Sequence, residues 1–449
     1  MTDTSKTFGA PVRGNSLLSK DDRTLNRNKA EKRFQAYGLA AISVAIVLLA
    51  ILLVSIFSNG LSAFRQTYVS FALELPAEKL DKVGNRNPAD MKSVTTIGYS
   101  KLIAAGFADA LKAEGVDTDG LKPKQILSML SEAAPNSVRD RVLADPSLVG
   151  KTIDVTLLSS SRIDGYLKGR VTAESAALDS KISPEQLKLA DAMVASGMLT
   201  QKFNWSFLSS PDASEKRPES AGLGVAIIGS AYMMVVVLCL SLPIGVAAAV
   251  YLEEFAAKNR FTDIIEVNIS NLAAVPSIVF GILGLSVFIN YAHLPQSASI
   301  VGGLVLTLMT LPRIIIPARA ALKAVPPSIR DAALGVGASK LQTVFHHVLP
   351  LAAPGILTGM IIGLAQALGE TAPLLLIGMV AFVKDYPGMP PDGLFDPATA
   401  LPVQVYSWTQ RADPAFVERA SGAIIVLLVF LMAMNAVAIV LRRRFERRW

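Results

Sequence analysis

Pro326-Pro327-Ser328-Ile329-Arg330-Asp331-Ala332-Ala333-Leu334-Gly335-Val336-Gly337 is the stretch on which the reading of this chain turns. The proline pair presets φ for a first helical turn, which predicts a short helix over 328–334. Gly335 and Gly337 break it. Ser339 then caps a second stretch, Lys340 to Val348, which ends at Leu349-Pro350. The segment 317–351 is far longer than two antiparallel helices need for a connection. Its composition is that of ordered helices, not of a floppy linker. Small side chains at Ala332 and Ala333 beside a glycine turn let another protein's surface approach closely. An amphipathic helix lying on a bilayer is the competing physical reading.

Around this segment the chain is apolar. Of its 449 residues, 51% are hydrophobic and only 18% charged, with a mean hydropathy of +0.44. Soluble domains carry about 25% charge, so disorder and nucleic-acid binding are excluded and a purely cytosolic enzyme is disfavoured. Runs long enough to cross a bilayer are expected at Leu39–Phe57 and at 222–252, 264–290, 299–316, 352–383 and 420–441. The first follows 38 residues, too long a lead for a signal peptide, and reads as an uncleaved anchor. The expected fold class is therefore mostly α: six transmembrane helices with an α/β insert between the first two.

Charge orients that topology. Residues 1–38 carry eight Lys/Arg against four Asp/Glu, and Arg442, Arg443, Arg444, Arg447 and Arg448 in the tail 442–449 face Glu446 alone. Basic ends mark the cytoplasmic side, so both termini are expected there. The loop 317–351 falls on the same side, with Arg319, Lys323, Arg330 and Lys340 against Asp331. The turn 253–263 is nearly balanced. Residues 59–221, with twenty charges of each sign, form an extracytoplasmic insert. Strands are expected at Thr67–Leu75 and Thr152–Leu158, from period-two alternation. Helices are expected at Gly98–Leu111, Pro123–Ala133 and Pro184–Met198. Ser209–Ser220 reads as a linker. The insert shows no nucleophile–base pair, phosphate loop or metal-ligand spacing; docking a partner and packing on the membrane core are equally open.

Chemistry is sparse. No G-x-x-x-x-G-K-[ST] loop exists, so energy for any pumping comes from another subunit or a gradient. Gly355, Gly359 and Gly363 recur every fourth residue along the fifth span, a helix-packing stripe. Glu370 follows within an apolar stretch, between Gly369 and Pro373. A charge there is costly unless paired or hydrated. Arg313, near the inner end of the fourth span, is its expected partner, and Glu266 is expected at the interface. The pair is a candidate translocation-path element, against the plainer reading of a structural ion pair. His346 and His347 are adjacent and face different ways, with no third ligand, so no metal is expected. Cys239 is a small apolar residue.

Asp331-Ala332-Ala333, Gly337 and Leu349-Pro350 resemble the EAA motif of ABC-transporter permeases, with Asp331 where the family has Glu and His347 where it has an aliphatic residue. The segments Asn271–Gly281 and Gly369–Leu375 resemble the PstA subunit of phosphate importers, and the likeness covers about 222–441. The insert resembles the N-terminal extension of one branch of that family. The resemblance implies that Ser328, Asp331, Ala332, Ala333 and Gly337 couple to an ATPase. It implies a buried Arg–Glu arrangement on the phosphate path. It also implies partners: a second, PstC-like permease, a PstB-like ATPase pair carrying ATP and Mg, and an extracytoplasmic PstS-like phosphate-binding protein. No cofactor is expected on this chain. Rival readings are an importer of another oxyanion, such as molybdate or phosphonate, and a membrane-anchored sensor. The sensor is disfavoured because no cytoplasmic signalling domain is recognisable.

Overall fold

The computed structural model describes residues 22–81, 83–118, 120–379 and 382–445. The start of the basic segment 1–38 and the last four residues of the tail 442–449 lie outside them. The chain divides into two units, up to Ser55 and from Ile56 onward. The helix Asp22–Gly60 begins in the first and ends in the second. Its mean hydropathy, 3.1 in the best window, is that of a membrane span.

In the second unit, three antiparallel strands form the centre of the insert, in the order β2-β1-β3: β1 Arg65–Glu74, β2 Thr152–Leu158 and β3 Leu199–Phe203. Val69, Phe71 and Leu73 alternate onto one face of β1, opposite Leu157, Val155 and Ile153. They pack on Tyr99, Ile103, Phe107 and Leu111, spaced by three and four on the helix Thr96–Ala113. Both expected strands and this helix form. The expected helix Pro123–Ala133 stops at Leu127, because Leu130 pairs with Ser159, and a separate helix spans Ala134–Ala144. Pro184–Met198 ends at Ala195, before Gly197 at φ +79°. The short strand β3 follows, too polar to signal itself.

Ser209–Ser220 is not a free linker. Asp212 accepts a hydrogen bond from Trp408 Nε1 (2.9 Å) and pairs with Arg411. A buried ionic seam then ties the insert to the start of the sixth span, Ala415–Phe445. Asp164 accepts from the Thr67 amide and hydroxyl (2.9 and 2.8 Å) and pairs with Lys168 at 2.6 Å. Lys168 also reaches Glu418 (2.9 Å), and Arg162 reaches Asp413 (3.1 Å). Arg419 donates to Gln66 Oε1 (2.6 Å) and the Glu219 carbonyl (3.0 Å). Glu219 itself is buried and accepts from Ser131; burial pushes its carboxyl above the usual carboxylate range. Removing one member of such a buried pair costs about 3–5 kcal/mol. The insert is thus packed on the membrane core.

Contacts fix the direction of the spans. The second span, Gly224–Val250, and the fourth, Ser299–Lys323, run parallel: a Cβ on Gly302, Gly303 or Gly245 would strike Met233, Val236 or Ile314. Parallel neighbours need a return crossing between them. It is made by Arg260–Ala273 and Ser277–Tyr291, bent by 104°. The expected straight span 264–290 is therefore corrected to a broken one. Pro276 lacks the amide that would continue the helix and disfavours helical geometry at Val275. With this crossing counted, the helices long and apolar enough to cross a membrane among the described residues give six spans. The fifth span, Leu349–Gly369, runs antiparallel to the fourth, since Gly355, Gly359 and Gly363 face Ala321, Pro317 and Thr310.

Candidate functional site

The fourth span continues to Lys323, and helix resumes at Lys340 and runs through a π-turn at Val344–Val348 into the fifth. The expected loop 317–351 is accordingly shorter, with Leu349-Pro350 inside continuous helix. Between the two lies the helix Pro327–Gly335, its first turn preset by Pro327. Gly337, at φ +90°, makes the turn that a Cβ would strain. The Ala338 amide caps the Ala333 carbonyl (3.1 Å), and Ser339 and Gln342 form a reciprocal capping box.

Ser328, Asp331 and Ala332 are exposed, and Leu334 (49%) and Val336 (85%) extend the outward face. Ala333 does not belong to it: it is buried, turned into its own chain. Ala333, expected among the coupling residues, thus lies on the inner side of this nine-residue helix.

What holds this helix was not legible beforehand. Arg330 donates to both Glu254 oxygens (2.6–3.2 Å), to the Leu322 carbonyl (2.9 Å) and to the Val325 carbonyl (2.7 Å). It thereby ties this helix to the end of the fourth span and to a residue just beyond it. The carboxylate raises its guanidinium pKa above the ordinary arginine value. Arg319 bridges Glu253 (3.4 Å) and Glu266 (2.6 Å). The signal was the adjacent acids Glu253 and Glu254 at the end of an apolar run. The near balance of charge in 253–263 concealed it.

Toward the insert side, Arg313 and Glu370 come together. Arg313 Nη1 lies 3.8 Å from Glu370 Oε1, beyond hydrogen-bond length, and has no hydrogen-bond partner although buried. The expected span 352–383 breaks here: Glu370 is extended (φ −78°, ψ 129°), and only Ala372–Leu376 is helical beyond it. Gly369 and Pro373 explain the break. The glycine stripe sets the separation. A Cβ at Gly355 would lie 2.7 Å from Ala321 Cβ and one at Gly359 2.6 Å from Pro317 Cβ. At Gly363 it would lie 3.3 Å from Thr310 Cγ2 and 3.9 Å from Arg313 Cβ. The stripe's partner is thus the fourth span of the same chain. His346 and His347 line a largely apolar cavity of about 560 Å³ with Val325, Ile329 and Pro350. Among the described residues no three metal-ligating side chains cluster.

Parallel and antiparallel spans, a helix clamped across the ends of two of them, and a broken span bearing a charge define a transporter permease. Residues 241–449 match the family "Binding-protein-dependent transport system inner membrane component", and residues 21–177 match "Domain of unknown function (DUF3333)". The chain is 30% identical over 230 residues to the "Probable ABC transporter permease protein YqgI" of Bacillus subtilis, covering 49% of this chain and 78% of that one. It is 31% identical over 234 residues to the "Phosphate transport system permease protein PstA 1" of Mycobacterium tuberculosis, covering 51% and 74%. A solved structure of the inward-facing MetNI methionine ABC transporter matches at 15% identity and a TM-score of 0.38, over 50% of this chain and 95% of that one. The chain belongs to the PstA-type ABC-transporter permeases, multi-pass proteins of the inner membrane, and it carries an additional N-terminal extension.

Proposed function

We propose that this permease forms, with a second PstC-like permease, the path of an ATP-driven phosphate importer. A PstB-like ATPase pair holds ATP and Mg on the cytoplasmic side, and a PstS-like binding protein delivers phosphate from the other. This chain contributes no cofactor. The single observation that carries the reading is the clamped helix Pro327–Gly335, exposed on one face and fastened on the other. The substrate follows from the names of the relatives. Positive charge at 317–351 and Arg442–Arg444 supports a cytoplasmic position for that end and for both termini.

Closure of the ATPase pair moves the helix through Ser328, Asp331 and Ala332. Arg330 passes the movement to the end of the fourth span through Leu322 and Val325, and to the end of the second through Glu254. The fourth span carries Arg313. Its Nη1 is enclosed without a hydrogen-bond partner; movement of the spans opens this donor to an anion, while Glu370, 3.8 Å away, orients the guanidinium. Proteoliposomes holding the assembled complex test this directly. Labelled phosphate should enter only with ATP inside, and excess molybdate should leave uptake unchanged. Ala332→Asp, on the exposed face, should abolish uptake and release the ATPase while the permease pair survives. ATP-dependent uptake at the wild-type rate by that variant would overturn the coupling role.

A further inference from the structure

Leu61, Phe203 and Trp205 form an exposed apolar patch on the insert, at 56%, 48% and 70% exposure. The rings of Phe203 and Trp205 lie 4.7 Å apart, and Phe64 backs them, 6.3 Å from Phe203. A solvent-facing tryptophan beside two other apolar groups loses burial that the fold could have supplied. This chain does bury one when it needs to: Trp408 is fully enclosed, its Nε1 bonded to Asp212.

The placement of the patch gives the reason. Leu61 follows Gly60, the last residue of the first span, and a Cβ on Gly60 would lie 2.7 Å from both the Ser421 carbonyl and Ile425. Those residues belong to the first turns of the sixth span. Trp205 precedes Ser206, whose carbonyl would lie 2.6 Å from a Cβ on Gly222, two residues before the second span begins. Phe203 sits opposite Arg65 at the end of β1 nearest the span. The ends of three spans therefore place the patch at the level where apolar helix gives way to the insert. Phe57, four residues before Leu61 on the first span, is itself 41% exposed.

We propose that Leu61, Phe203 and Trp205 are a bilayer-contact surface that seats the insert in the headgroup–acyl boundary of the leaflet on its side. Indole suits that zone because its ring is apolar and its N–H can meet water or headgroup oxygens. The occupant is lipid, since the patch continues a lipid-spanning helix and carries no charged pair of its own.

Trp205 itself reports the outcome. In the full chain reconstituted in nanodiscs, Trp408→Phe with Trp449→Phe leaves Trp205 as sole tryptophan. Its emission should be blue-shifted from that of free indole and quenched at least twofold by lipids brominated near the glycerol end. Iodide should quench it several-fold less than free indole. If Trp408→Phe fails to fold, the difference between wild type and Trp205→Leu gives the same reading. Full quenching by iodide with none by bromolipid would overturn the proposal in favour of open water. Protection from both quenchers would overturn it in favour of a protein cover.

Discussion

Two arginines on neighbouring elements meet carboxylates in opposite ways. Arg330 donates from all three of its nitrogens: one carboxylate and two carbonyls accept at 2.6–3.2 Å. Arg313 is held at 3.8 Å from its carboxylate, and its Nη1 bonds to nothing. Their side chains are equally shielded, 22% and 23% exposed, so burial does not separate them. Bonding does. A guanidinium that donates from every nitrogen is a strut. One oriented by charge but left unbonded keeps hydrogen-bonding capacity for a passing anion, because shielded bonds to charged groups are worth about 1.5–3 kcal/mol each.

Between the two arginines and their carboxylates, the largest effect is therefore expected at Arg313. Arg313→Gln should lower phosphate uptake at low substrate by about 10–100-fold, the equivalent of one such bond at 1.4 kcal/mol per decade. Adding Glu370→Gln should recover any lost yield of complex but not the uptake. Near-normal uptake would make Arg313 a strut too. Arg330→Gln should cut uptake about tenfold in the opposite manner, through a complex that retains less ATPase and melts earlier. If ATPase retention and melting are unchanged, the clamp is not what positions the helix. Glu370→Gln should be milder, about three- to tenfold, with assembly intact, because it loosens orientation without removing the donor. Lost assembly would assign it to structure alone.

Glu219 supplies the smallest effect and a carboxylate outside both pairs. Its pKa is raised in the folded chain, so the folded state holds its proton more tightly than the unfolded one. Stability from this group is full below the ordinary glutamate pKa and is lost as pH rises through the folded value. Glu219→Gln should remove that dependence and raise the melting temperature by a few degrees at pH 8 but not at pH 5. Equal shifts at both pH values would contradict the buried-proton account.

The spans, both longer insert strands and the clamped helix were legible because each rests on local periodicity or on proline and glycine punctuation. So was the meeting of Arg313 with Glu370, two lone charges in apolar surroundings. Arg330's grip on Glu254 was not, since 76 residues separate them and a charge count sees only a sum. The bend at Pro276 was missed because hydropathy averages across a proline that the backbone cannot ignore. Asp212 looked like linker chemistry for a similar reason: its partners, Trp408 and Arg411, lie almost two hundred residues further on.

The ionic seam beneath the insert has a consequence for how the chain is made. Arg162 leaves the ribosome 251 residues before Asp413, its mate. At about 5–20 residues per second that interval lasts roughly 10–50 s. Throughout it, Arg162, Lys168 and Arg170 stand without the carboxylates Asp413 and Glu418 that will pair with them. The fastening closes only when the last span is inserted. A nascent chain cut short before residue 411 lacks the partners that tie Arg162, Lys168 and Arg170 to the sixth span, so the insert is fastened by the last segment to be translated.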